Sequence, residues 1–464
     1  MPGLQVDQSF TLSNPWGFEK FGVPLRAAIP LPRGAAQDPA EALALVNEAG
    51  EDLVAQWTTL VTWPDGSVRF ALLDYAEPTL EPRQTRRYRL TERAARLPVA
   101  DRAMCLAIDE TEDELTIDTG RLTWTLSRRR FSLAEMIAFR DREWLKGRPT
   151  DLCVADVHGQ VYRASRGAYH LSVESAGEHR AVILIEGDYR NPVGRFMNYT
   201  LRLHFTAGGT QALLSHTVRN REDGREGRDL SRLWLEGSLE VDDDTIRRVM
   251  HVHRTVNTVQ AMIDIPENVE LETRDDLTTI RNVASLREDP DDRCYSIVHE
   301  LDVNRHGGCA PMLDLHEPGA GGLLIRFAMP EPEREAPMRL ASEGNGFEVD
   351  FYPAFAEPMH LGAGMGKTRD LVLHFHDDAL PAMDVVHQAD VLTYPGVQSV
   401  SAAMYRDAQL GDIQHALPRQ PNKYMMLEQK IDTLLAAQLA YEWPVATGWR
   451  DFGDSYPAGG AGHP

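Results

Sequence analysis

The sequence predicts a mainly β protein: a smaller N-terminal β domain, a large antiparallel β-sandwich, and short helices toward the C-terminal end. Two observations carry this. Apolar and polar residues alternate with period two in many runs between residues 104 and 390, as they do on half-buried antiparallel strands. Sustained helical spacing is confined to the last part of the chain. A length of 464 residues with 42% hydrophobic content supports two or three domains with real cores.

Residues 1–95 hold short β segments broken by Pro and Gly, among them Gly22 to Arg26 and Ile29 to Gly34. The sharpest is a hairpin. Apolar runs Leu53 to Val61 and Val68 to Tyr75 flank Trp63-Pro64-Asp65-Gly66-Ser67. Gly adopts positive φ without steric cost and Asp tolerates turn conformations, so Asp65-Gly66 marks the turn. Arg83 to Leu90 alternates weakly and reads as a closing strand, with Thr91 to Arg102 as linker.

The block 104–390 contains strand-like runs at Leu115 to Asp118, Arg121 to Leu126, His170 to Glu174, Arg180 to Gly187, Tyr199 to Thr206 and Gln211 to Arg219. Others follow at Leu233 to Val241, Met250 to Val259, Gly322 to Ala328, Phe347 to Tyr352 and Asp370 to His376. Phe131 to Phe139 reads as one short helix. In the segment 395–454, Leu427, Ile431, Leu434, Leu435 and Leu439 share a helical face, and Asn422 is a plausible N-cap after Pro421. The tail 455–464 is of low complexity and expected to be disordered.

Lys and Arg total 48 against 70 Asp and Glu, a net charge of −22. That opposes nucleic acid and anionic membrane as partners, because phosphate binding needs positive surface. No apolar run reaches about 18 residues, so no membrane helix is expected. The N-terminus lacks the basic and apolar regions of a signal peptide. Cys105, Cys153, Cys294 and Cys309 have no metal or disulfide spacing and suit free thiols in a reducing cytoplasm.

Several familiar patterns fail. Gly366-Lys367-Thr368 lacks the leading Gly of a phosphate loop, since Leu361 stands there, and strand rather than helix follows. Asp451-Phe452-Gly453 has no accompanying kinase segments, Gly319 to Gly322 lacks a dinucleotide fingerprint's third Gly, and no Gly-x-Ser-x-Gly elbow occurs. His251/His253 and His374/His376 can each chelate a metal from one strand face, the second pair with Asp377 and Asp378 beyond it. Spacing alone favours ordinary strand histidines, and no metal is assigned.

Four segments together resemble the exo-rhamnogalacturonan lyase family. They are Gly22 to Gly34 with Gln56 and the Trp63–Phe70 hairpin; Glu174 to Val182 with Glu186-Gly187, leading to His216 to Asn220; Gly366 to Asp370; and Gly448 to Asp454. The resemblance implies an N-terminal RIFT-type β-barrel over 1–95 and a galactose-mutarotase-like β-supersandwich over 104–390. It further implies an α/α toroid of which 395–454 is the start. Only ten residues follow Asp454, so the rest of the toroid is expected as a separate or downstream-encoded partner.

The resemblance also implies β-elimination on uronate-containing, rhamnogalacturonan-type oligosaccharides. Such a lyase must neutralise the uronate carboxylate and abstract the C5 proton. Candidate bases are His216, on a strand, and His306, in a Gly-rich loop. Arg219 and Asn220 suit carboxylate neutralisation. Lys367 and Arg369 suit carboxylate binding, and Trp449 with Arg450 and Asp454 suits a sugar ring and its hydroxyls. Each also has a purely structural reading, as core histidine, turn or loop start. No cofactor is implied; a divalent cation such as calcium is compatible with the chemistry but not indicated. Alternatives are a non-catalytic carbohydrate-binding protein or a glycoside hydrolase using two carboxylates.

Overall fold

In the computed structural model the alternating segments form antiparallel strands. The structure describes residues 8–14, 19–93, 105–146, 150–221, 227–240, 246–253, 268–273, 309–328, 338–340, 346–352, 357–380, 382–389, 391–392, 396–400, 408, 424–427, 429–430 and 433.

The N-terminal strands are β1 (Gln8–Ser13), β2 (Lys20–Pro30), β3 (Leu43–Val46), β4 (Asp52–Leu53), β5 (Gln56–Thr62), β6 (Val68–Leu80) and β7 (Thr85–Glu92), with the short helix α1 (Pro39–Ala42) before β3. Next come β8 (Ala107–Glu110), β9 (Glu114–Asp118), β10 (Leu122–Ser127), β11 (Met136–Phe139) and β12 (Arg142–Lys146). The large sheet begins with β13 (Asp151–Asp156), β14 (Val161–Arg163), β15 (Tyr169–Ser175), β16 (Arg180–Arg190), β17 (Arg195–Thr206), β18 (Gln211–Arg219), β19 (Arg228–Ser238), β20 (Ile246–His253) and β21 (Asn268–Thr273). It continues with β22 (Cys309–Glu317), β23 (Gly321–Phe327), β24 (Met338–Leu340), β25 (Gly346–Tyr352), β26 (Met359–Leu361) and β27 (Gly366–His376). Helix α2 (Ala382–Ala389) and β28 (Val397–Val400) follow.

The N-terminal domain has two sheets, β28-β1-β7-β3-β4 and β2-β6-β5, around one core. Phe10 and Leu12 of β1, Leu25 and Ile29 of β2, Leu73 of β6 and Tyr88 and Leu90 of β7 all point into it. Every second residue is apolar, so each strand turns one face inward. The expected hairpin joins β5 to β6. Gly66 has φ +85°, and Asp65 accepts from the Ser67 backbone N–H at 3.0 Å and its hydroxyl at 2.6 Å. Trp63 donates its indole N–H to the Leu31 carbonyl, and the Arg69 guanidinium lies over its ring.

Two expectations change here. Residues 395–454 were expected to be helical, yet β28 is a strand that pairs with the outer edge of β1, matching Phe10 with Val400 and Ser13 with Val397. The N-terminal domain is therefore completed from the far side of the sandwich, because the open edge of β1 requires hydrogen-bond partners. Val391 already belongs to the N-terminal core. The stretch expected as a helix at Phe131 to Phe139 ends instead in strand β11, where Ile137 and Phe139 alternate inward and pair with Trp124 and Leu122. The described residues of 424–433 are helical, with Leu427 exposed. The tail 455–464 lies outside the described residues.

The central domain contains a five-stranded sheet, β12-β11-β10-β9-β8, and a fifteen-stranded one. The latter runs β21-β20-β22-β23-β27-β18-β17-β16-β14-β13-β19-β25-β24, with β15 beside β16 and β26 beside β19. One core serves both sheets, from Trp124 and Phe139 through Leu201 and Leu214 to Phe351 and Phe375.

Three contacts lock the N-terminal domain to the sandwich. The Gln56 carbonyl oxygen accepts the backbone N–H groups of His179 and Arg180, and the His179 ring bonds the Val54 carbonyl. Gly22 has φ +56°, and a Cβ added there would lie 3.3 Å from the Gly208 backbone. On α2, Gln388 bonds the backbone of Phe21 and Glu19 on one side, while its own carbonyl accepts from Gln211 on the other.

Candidate functional site

A cleft of about 610 Å³ opens where these parts meet. The β9–β10 hairpin contributes Asp118 and Arg121, the β11–β12 hairpin Arg140 and Asp141, and the end of β27 His374, His376 and Asp377. Its floor is the turn between β17 and β18. There Thr119 donates its hydroxyl to the Gly209 carbonyl at 2.7 Å, and the Gly208 N–H returns a bond to the Thr119 carbonyl. Asp118 accepts from the Gly120 N–H, which fixes the turn that presents Arg121. Arg140 has φ +55° at its hairpin tip and forms an ion pair with Asp377 across the cleft. Both arginines are exposed.

His374 and His376 lie on one face of β27, as alternate strand residues must. His374 is buried, its Nδ1 3.2 Å from the Thr210 hydroxyl, and burial together with the neighbouring His376 pushes its pKa down to about 3. His376 is met by two residues from β22. Its Nε2 is 2.9 Å from the Asp314 carboxylate, and its ring is parallel to that of His316 with centroids 5.7 Å apart. The register explains the meeting: His316 pairs with Gly322 of β23, and Gly322 pairs with His376. Among the described residues, Asp314, His316 and His376 are the one group of His, Cys, Asp or Glu side chains placed to hold a metal ion. The His251 and His253 backbones lie in β20; their side chains lie outside those described.

Those residues expected from sequence that are described fall elsewhere. His216 is a core residue and not an accessible base. It is fully buried, bonded through Nε2 to the Tyr189 hydroxyl at 2.7 Å and stacked on Phe351 at 4.9 Å. Burial lowers its pKa to about 3. Arg369 pairs with His216 across the strands and is buried with its guanidinium over Phe327, so it does not line a cleft either. Asn220 is structural: its side chain donates to the Leu361 carbonyl at 2.9 Å, and its backbone bonds Met365 and Gly364. Arg219 and Lys367 are half-buried at the same end of the sheet, opposite Gly366 and Val218. His306, Trp449, Arg450 and Asp454 lie outside the described residues. The sequence reading missed Arg121, Arg140, Asp314 and His316. The Asp314-x-His316 alternation, mirroring His374-x-His376, was the available signal for the latter pair.

The central domain is a β-sandwich. Residues 106–248 match the family described as the PcRGLX-like protein central beta sandwich domain, which supports a rhamnogalacturonan-lyase-like kinship at that coarse level. No protein of curated function matches the sequence. Among solved structures the chain is similar to a glycosyl hydrolase family 38 protein and an alpha-mannosidase, both from Enterococcus faecalis. Each is 11% identical over 86% of this chain, with TM-scores of 0.48 and 0.46. The chain spans about half of their length, 48% and 46%. It is also similar to a galactose mutarotase related enzyme from Lactobacillus acidophilus, at 10% identity over 59% of this chain and 98% of that one, with a TM-score of 0.29.

Proposed function

We propose that the protein cleaves uronate-containing, rhamnogalacturonan-type oligosaccharides by β-elimination, acting in the cytoplasm. The match of residues 106–248 to the PcRGLX-like sandwich domain carries this reading. The cleft supports it through its size and its two arginines. Its volume lies in the range of small-ligand sites, and Arg121 and Arg140 present two cations from adjacent hairpins. A guanidinium fork suits a uronate carboxylate, and neutralising that carboxylate stabilises the enolate-like charge that forms when C5 loses its proton. Asp118 and Asp141 beside them can accept sugar hydroxyls.

The test is to incubate the protein with rhamnogalacturonan I oligosaccharides and follow the ultraviolet absorbance of an unsaturated uronate. A rising signal, reduced about 100-fold in the double variant Arg121→Ala/Arg140→Ala, is the expected outcome. New reducing ends without a double bond would show hydrolysis and overturn it.

One observation favours a second reading, sugar binding without turnover. Among the described residues lining the cleft there is no Tyr or Lys, and its two histidines are buried. Calorimetric binding of the same oligosaccharides with no absorbance change would establish that reading instead.

A further inference from the structure

We infer that Asp314, His316 and His376 bind one divalent transition-metal ion of the zinc class. The site goes beyond the carbohydrate reading and stands whether or not the protein turns over a sugar. Three observations converge on it.

The first is geometry. The ligand atoms of the three side chains lie within 4.8 Å of one another, and His376 Nε2 and Asp314 Oδ1 are 2.9 Å apart. Atoms around an ion with bonds of about 2 Å sit roughly 3–4 Å apart, so small side-chain rotations bring the three donors to bonding distance and leave a fourth position for water. Two imidazoles and one carboxylate form a donor set suited to zinc or a similar borderline ion, in contrast to the all-oxygen set of calcium.

The second is space. Gly322 lies between the two histidines in the register. A Cβ there would come 2.6 Å from His376 Nε2 and 2.7 Å from the Leu315 carbonyl. Glycine here leaves the His376 ring room beside β23.

The third is polarity. His376 has oxygen at both ring nitrogens, the Asp314 carboxylate at Nε2 and the Asp377 carbonyl 3.1 Å from Nδ1. His316 has the Asp378 carboxylate 2.9 Å from Nε2. Asp377 and Asp378 then serve as the outer oxygen partners that orient ligating histidines.

The ion would tie β22 to β27 across β23, on the wall of the cleft. The test uses the untagged full chain, stripped with a chelator and titrated with zinc chloride alone by calorimetry at neutral pH. One ion per chain is expected, with Kd on the order of micromolar or tighter. His376→Gln, Asp314→Asn and Gly322→Ala should each weaken binding by about 10- to 100-fold or more. His170→Gln, an exposed histidine on β15, should leave it unchanged. Cobalt in place of zinc should give visible ligand-field bands that these variants lose, read on protein whose circular dichroism matches wild type. Absence of zinc binding by the wild-type chain, or binding that survives in both His376→Gln and Asp314→Asn, overturns the assignment. So does a cobalt spectrum unaltered by them.

Discussion

Burial decides what a single side chain can do here. His216 was legible as a strand histidine, but period two tells only that neighbours alternate, not which face is inside. The structure turns it inward onto Tyr189 and Phe351. Its folded pKa of about 3 lies below its ordinary value near 6.5. The unfolded chain therefore takes up a proton as pH falls through 6.5 while the native state does not, and stability is lost from there down to about 3. Denaturant unfolding at pH 7 and pH 5 should show wild type losing about 2 kcal/mol more than His216→Phe over that interval. Asp74 works in the opposite sense. Burial raises its pKa to about 6, against the pull of Arg26 at 3.4 Å. The native state holds the proton while the unfolded chain has released it between about 3.8 and 6, so this group lowers stability as pH rises through that window. In Asp74→Asn the stability gained on acidifying from pH 6 to pH 4 should shrink relative to wild type. Asp65 was readable outright as a turn residue, since its Ser67 bonds are local.

At the level of elements, strands and the Asp65-Gly66 hairpin were legible because their signals are local: alternation and a turn pair. Segment 131–139 was not, because its apolar residues fit a helical face as well as a strand, and only pairing with β10 arbitrates. The metal-ligand cluster was half legible for the same reason. His374 and His376 stand two apart in sequence, whereas Asp314 and His316 reach His376 through β23, a neighbour no sequence spacing reveals. Tight elements should be sensitive to small changes. A Cβ on Gly167 would lie 1.8 Å from the Asp188 carbonyl oxygen, a backbone atom held in β16. Gly167→Ala should therefore cost about 3 kcal/mol, read as a lower denaturation midpoint at unchanged slope.

For the whole molecule, two of the segments that carried the family resemblance, Gly22 to Gly34 with Gln56 and Glu174 to Val182, meet residues of the other domain. Gln56 reaches the backbone of His179 and Arg180, and Gly22 meets Gly208. Gln56→Ala leaves two backbone N–H groups without their acceptor and should loosen this contact by about 1–3 kcal/mol. Faster hydrogen exchange at residues 179–181, with β16 and β17 still protected, is the expected reading. Sequence could not show this, since partners more than a hundred residues apart leave no periodic trace. The return of β28 to β1 has a different consequence, for synthesis. Domains commonly fold in the order in which they leave the ribosome. Here the first domain to emerge is the last to be finished, its outer strand arriving only after the entire sandwich has been translated. Until then the nascent chain carries an open edge at β1, which β28 closes like a clasp.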